Sequence, residues 1–171
     1  MISLDKFCEY CGSYLIQLVH VKGWQGCSCG ARRMDNGIIT LSDLITSGGK
    51  YPERAQSIEL TSELKQNGVK LLNQVNQFLK DIGIKQVIVS SGFRTSEANA
   101  SLPNSAKRSL HMSCKAIDIA DPDGGLATLI ENEPDLLRKY GLWLEDPNYT
   151  KSWVHLDIGV RSDRPSRTFV P

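Results

Sequence analysis

The chain carries no marked excess of charge, no apolar run of membrane-spanning length and no internal repeat. Twenty Lys and Arg stand against 19 Asp and Glu, a net charge of +1. So small an imbalance excludes the electrostatic pull that draws proteins to nucleic acid, anionic membranes or acidic polymers. The basic residues are spread along the chain except near its end, where Arg161, Arg164 and Arg167 are expected to form a solvated, partly extended tail. The start, Met-Ile-Ser-Leu-Asp-Lys, lacks the basic region and apolar stretch of a secretory signal. With no apolar run able to span a bilayer, synthesis and folding are expected in a cytoplasm. A substrate outside that compartment then needs a separate delivery route. What remains is ordinary for a globular protein: 171 residues, 40% hydrophobic and 23% charged, enough for one main domain and a small appendage.

The five cysteines are unevenly placed. Cys8, Cys11, Cys27 and Cys29 bunch near the start and Cys114 stands apart. In a reducing compartment such close pairs are metal ligands or redox groups more often than disulfides. Each pair is followed by glycine (Gly12 and Gly30), as in the two knuckles of a zinc ribbon. Four thiolates on one structural zinc would fold a segment too short to build a core, with His20 as a substitute ligand. The plainer alternative is four reduced thiols in a flexible leader. The expected division is therefore a zinc-ribbon-like segment over residues 1–37, open to docking on a protein partner, and a main domain over 38–171.

In the main domain, Leu64, Leu71, Leu72, Val75, Phe78, Leu79 and Ile82 fall at helical spacing. A helix over about 61–82 follows, capped by Thr61 or Ser62 and stopped by Gly83. Residues 86–90 are a β-branched run and predict a strand, residues 116–120 a second, and residues 153–158 a third. A short helix starts near Ser96, a turn closes at 121–125, and residues 126–140 are helical with Pro134 dividing them. Strands that do not alternate strictly with helices give an α+β class, a small antiparallel sheet with flanking helices.

The chemistry rests on His111 in a loop, Asp118 on the second strand and His155 on the last. Two imidazoles and a carboxylate make a zinc set with a fourth position left for water, which is what hydrolysis needs. Spacing alone is weak evidence, since a loop histidine seven residues from a strand aspartate also fits a surface residue and a capped turn. The surroundings add to it. Ser91-Gly92-Phe93-Arg94-Thr95 with Asn99, then Ser109-Leu110-His111, Ala116-Ile117-Asp118-Ile119 and Trp153-Val154-His155-Leu156-Asp157 occur in this order.

The set resembles the zinc D-Ala-D-Ala carboxypeptidase family, which includes phage L-alanyl-D-glutamate endolysins, over roughly residues 38–171. The likeness extends to the closing Arg167-Thr168-Phe169-Val170-Pro171. It implies a Hedgehog/DD-peptidase-like fold, with zinc on His111, Asp118 and His155. It makes Arg94 the group that stabilises the carbonyl oxygen or holds a substrate carboxylate, a role suited to a permanently charged fork. Ser109 would contact substrate or support a ligand. The bland alternative for Arg94 is a surface salt bridge.

Two positions depart from the family pattern. Where many members carry an acid three residues before the last histidine, this chain has Ser152, so the general base is sought at Glu145, Asp146 or Asp157. Asp157 shares the strand face of His155, ~6.6 Å along, and is equally suited to orienting a ligand. Glu145 ranks slightly ahead, reaching in from a loop. Cys114 replaces a glycine. It is expected to be a small buried residue, the alternative being a fourth ligand that would close the site. Trp143 and Trp153 flank the last ligand, as core or as a cleft wall.

These features predict a zinc metallopeptidase of carboxypeptidase or endopeptidase type. It would act on peptidoglycan stem peptides beside D-amino acids, at the cell wall or as a phage- or virion-associated lysin. The competing expectation is a zinc-containing cell-wall-binding or phage structural module without catalysis. A nucleic-acid protein built on the ribbon is disfavoured by the near-neutral charge.

Overall fold

The computed structural model describes residues 38–103, 105–162 and 164–171, together with the short strands β1 (Ile16–Gln17) and β2 (Gln25–Gly26), which pair antiparallel. Cys8, Cys11, Cys27, Cys29 and His20, on which the zinc ribbon was expected, lie outside the described residues.

The apolar stripe of the long helix dictates where the core forms. Helix α2 (Ser62–Asp81) starts at Thr61, whose hydroxyl accepts from the Leu64 N–H, and gives way at Ile82 to Gly83 in the left-handed region. Its buried face, Leu71, Leu72, Val75, Phe78 and Leu79, packs against the sheet and against α1 (Leu41–Thr46). Helix α1 begins with a capping box, in which Thr40 and Asp43 exchange side-chain and backbone hydrogen bonds. Each fully buried Leu, Ile or Phe in this layer contributes about 1.5–3 kcal/mol of transfer free energy.

The sheet is built from β3 (Val89–Ser91), β4 (Ala116–Ala120), β5 (Trp143–Glu145), β6 (Trp153–Asp157) and β7 (Thr168–Phe169), in the order β3-β4-β6-β5-β7. Three of its four pairings are antiparallel; β5 and β7 run parallel. The sheet is thus mixed, a correction to the wholly antiparallel expectation. After β6 the chain turns back once, passes over β5 and enters the edge in the same direction as β5. Helix α3 (Ser96–Ala100) follows β3, and Pro134 opens α5 (Pro134–Lys139) just after α4 (Gly125–Glu131), as its fixed φ favours.

The expected solvated arginine tail is a second correction. Arg167 is buried, its guanidinium 3.9 Å from the Trp143 ring centroid and its Nε donating to the Leu142 carbonyl at 3.1 Å. Arg161 pairs with Asp157, and of the three only Arg164 is exposed. Pairing of β7 with β5 draws the segment onto the sheet, where the planar guanidinium groups cover aromatic faces.

No helix among the described residues is long and apolar enough to cross a membrane.

Candidate metal centre

Strand alternation sorts the sheet into two faces. Ile117, Ile119, Val154, Leu156 and Leu144 are buried in the helix-covered core. The residues between them, Asp118, His155 and Asp157, point the other way. Register places Asp118 directly opposite His155, and Ala116 opposite Asp157. Trp143 pairs with Asp157 and Leu144 with Leu156, so the same ladder carries Glu145 to the level of His155. One 3-10 turn (Leu110–Ser113), immediately before β4, supplies His111.

The three side chains converge. His111 Nε2 lies 3.3 Å from His155 Nδ1 and 3.3 Å from Asp118 Oδ1, and His155 Nδ1 lies 2.7 Å from Asp118 Oδ1. All three residues are buried. The His111 Nδ1–H donates to the Gly92 carbonyl at 2.7 Å, which fixes the tautomer and turns the Nε2 lone pair inward. The other oxygen of Asp118 accepts from Arg94 Nη2 at 2.9 Å, and His155 Nε2 faces Asp157 Oδ2 at 3.4 Å. Each converging atom therefore belongs to a group held from behind, the arrangement that orients metal ligands. The trio forms a group able to hold a metal ion. The spacing fits one: ligands 2.0–2.1 Å from zinc at tetrahedral angles lie ~3.3 Å apart.

Electrostatics distinguish the three groups. Burial lowers the His111 pKa and keeps this imidazole neutral. Burial opposes charge on Asp118 as well, but His111 and His155 outweigh it and hold the carboxyl well below the usual range. For His155, burial lowers the pKa while hydrogen bonds to Asp118 and Asp157 carry it up to about 9.

Around the trio, the sequence-predicted residues divide. Arg94 is there, its Nε donating to the Ser91 hydroxyl at 3.1 Å. Far from a surface salt bridge, it stands between Asp118 and a cleft of about 620 Å³ lined by Lys50, Tyr51, Ser57, Ser91 and Thr95 among others. Glu145 is half-buried with Oε2 3.9 Å from His155 Nδ1. Burial raises its pKa, His155 works against that, and the charges of Asp118 and Asp157 add to it. Asp157 is fully buried and its carboxylate is already engaged by the Gly159 N–H and both terminal nitrogens of Arg161. Ser109 sits at the head of the 3-10 turn, half-buried, its hydroxyl without a hydrogen bond among the described residues. Asp146 is turned to its own loop, accepting from Asn148. Ser152 is exposed.

Cys114 is not a ligand. It lies in the hydrophobic core, at φ 53 in the left-handed conformation that ends the 3-10 turn. That backbone angle is what a glycine at this position would relieve. Trp143 is buried beneath the arginines, whereas Trp153 is a third exposed.

Arg161 and Phe169 are two neighbours of the centre to which the sequence reading gave no role at the site. The Phe169 ring meets His155 edge-on at 6.0 Å, and Arg161 lies over Phe169 at 3.7 Å. The closing Arg-x-Phe pattern and the four-residue spacing of Asp157 and Arg161 were the available signals.

The family model described as Peptidase M15 matches residues 42–157, more than half of the chain. The chain belongs to the Peptidase M15 family. This M15 match takes in Arg94, His111, Asp118, Glu145, His155 and Asp157, and makes the protein a metallopeptidase by family. No curated protein and no solved structure gave a match.

Proposed function

We propose that this M15 protein is a zinc peptidase that hydrolyses peptidoglycan stem-peptide bonds beside D-amino acids, in the manner of a phage or prophage lysin. The observation that carries the reading is the convergence of His111 Nε2, Asp118 Oδ1 and His155 Nδ1, within 3.3 Å of one another, beside an uncommitted carboxylate. Two imidazoles and one carboxylate suit zinc. When bound, zinc supplies a Lewis acid for the scissile carbonyl and a water acidified toward neutral pH.

The remaining work falls to the chain itself. Glu145 is the general base. It makes no hydrogen bond among the described residues, its pKa is raised toward the working range, and it lies beside the trio. Asp157 holds His155, because its oxygens are already taken. Having taken a proton from the attacking water, Glu145 passes it to the departing amine. Arg94, anchored by Ser91 and Asp118, presents a fixed positive charge to the oxygen that gains charge in the transition state. The cleft beyond Arg94 has the size of a short peptide, with charged and hydroxyl side chains such as Lys50, Ser57, Ser91 and Thr95 in its wall. Ser109, two residues before His111, offers its hydroxyl to the substrate.

Purified muropeptides decide the matter. The zinc-loaded protein is expected to release D-Ala or expose new amino termini, and chelation is expected to stop it. Glu145→Gln should retain the same zinc content and lose ~10²–10⁴-fold in kcat. His155→Ala should lose one zinc. No cleavage by zinc-loaded wild type would overturn the peptidase reading in favour of a cell-wall-binding module.

A further inference from the structure

The family match ends at Asp157, yet Arg161 and strand β7 beyond it fold back onto the candidate metal centre. Asp157 is fully buried and its carboxylate is gripped on both oxygens: Arg161 Nη1 donates to Oδ1 at 2.6 Å and Nη2 to Oδ2 at 2.8 Å. The Gly159 N–H adds a third bond at 2.8 Å. The same Oδ2 faces His155 Nε2 at 3.4 Å, the ring nitrogen opposite the one turned to Asp118 and His111. Arg161 is itself fixed, its guanidinium 3.7 Å above the Phe169 ring and 5.6 Å from that of Trp143. Phe169 is held by the pairing of β7 with β5, where it lies opposite Glu145, and its ring closes on His155.

We propose that Arg161 and Phe169, both beyond the family-matched segment, form a clamp on the metal ligand His155, with Arg161 as the positioning residue acting through Asp157. A forked guanidinium fixes both oxygens of a carboxylate in one plane, which a single ammonium does not do. With Asp157 so fixed, its Oδ2 faces His155 Nε2 at 3.4 Å and favours the ring proton on that nitrogen, so that on metal binding Nδ1 would give up its proton and turn its lone pair to the position shared with His111 and Asp118. The ring is thus held from three sides: Asp157 behind, Asp118 in front and Phe169 at its edge. The proposal rests on the metal-site reading above and extends it to a side chain outside the family-matched segment.

Metal affinity tests it directly. Zinc dissociation constants from competition with a chromogenic chelator, and the visible spectrum of the cobalt-substituted protein, are measured for wild type, Arg161→Ala, Arg161→Lys and Leu137→Ala. Arg161→Ala is expected to weaken zinc roughly 10–100-fold, as loss of an outer partner of a ligand does, and to shift the cobalt bands. Arg161→Lys should fall between it and wild type. Leu137 is fully buried in the hydrophobic core, on α5, so Leu137→Ala should lower stability and leave affinity and spectrum unchanged. Wild-type affinity and spectrum in folded Arg161→Ala overturn the clamp while leaving the metal site standing. Should Arg161→Ala fail to fold, unchanged affinity in Arg161→Lys overturns it equally. A wild-type protein that takes up no metal overturns both readings.

Discussion

At the scale of single residues, the same side-chain chemistry leads to different outcomes according to what lies around it. Asp157 and Glu145 were both candidates for the base, and both lie next to His155. Arg161 and the Gly159 amide fill the oxygens of Asp157, while Glu145 makes no hydrogen bond among the described residues. Cys114 shows the reverse: a metal-ligating atom type turned inert by its surroundings. Burial pushes its thiol up to about 12. A raised thiol pKa means that the folded state holds the proton more tightly than the unfolded chain does. The associated stability is present below the ordinary value near 9.0 and is lost as pH climbs toward 12. At pH 8 the peptide bearing Cys114 is therefore expected to resist iodoacetamide in the native protein and to be labelled fully in guanidinium, read by peptide mass mapping. Labelling at equal rates in both conditions would contradict the buried placement.

Among elements, the turn joining β3 to α3 is where packing and chemistry meet. Gly92 accepts the His111 Nδ1–H through its carbonyl and donates its own N–H to the Ser47 hydroxyl. A Cβ at this position would lie 1.8 Å from the Leu44 carbonyl oxygen, which is backbone and cannot step aside. The next residue, Phe93, bonds that same carbonyl through its N–H at 2.8 Å. Buried Arg54 ties the turn down from the other side, donating to Ser47 and to the Phe93 carbonyl. Gly92→Ala is thus expected to cost roughly 3–5 kcal/mol, seen as a lower denaturant midpoint, and to weaken zinc binding through the displaced His111 anchor. A midpoint equal to wild type would show that the turn is not closed in this way. The glycine of the Ser-Gly-Phe-Arg motif is in this sense a packing requirement with a chemical consequence.

For the whole molecule, the proposed metal centre, made from β4, β6 and the turn before β4, would link the stability of the sheet to the ion. Removing the metal leaves two imidazoles and a carboxylate buried together with the ion's share of their bonds unmade. The proposed zinc would bind the folded arrangement, because His111, Asp118 and His155 are distant in the chain and come together only on folding. With free zinc at ~1,000 times the dissociation constant the gain is ~4 kcal/mol. For a domain of this size that corresponds to roughly 8–16 °C in Tm. Calorimetry with and without chelator measures the shift, and an identical Tm in both would speak against a resident ion.

The sequence by itself determined the family and the α+β class, and supplied the residues of the candidate site. Helix α2, strands β4 and β6, the break at Pro134 and the order of the motifs are local properties: an apolar period, a β-branched run, a ring that fixes φ. The identities of His111, Asp118 and His155 likewise followed from residue type and motif order, and Glu145 stood among the candidates for the base. Pairing was left to the tertiary structure. Strands β5 and β7 are only three and two residues long, too short to carry an alternation that distinguishes strand from loop. They exist because β6 and β5 offer them ladder partners. For the same reason the arginines near the end looked solvated: charge and flanking residues say nothing of Trp143 and Phe169, which reach them only through the β5–β7 pairing. Which of two neighbouring carboxylates is left unengaged was decided there as well, by an arginine four residues beyond the last family-matched position.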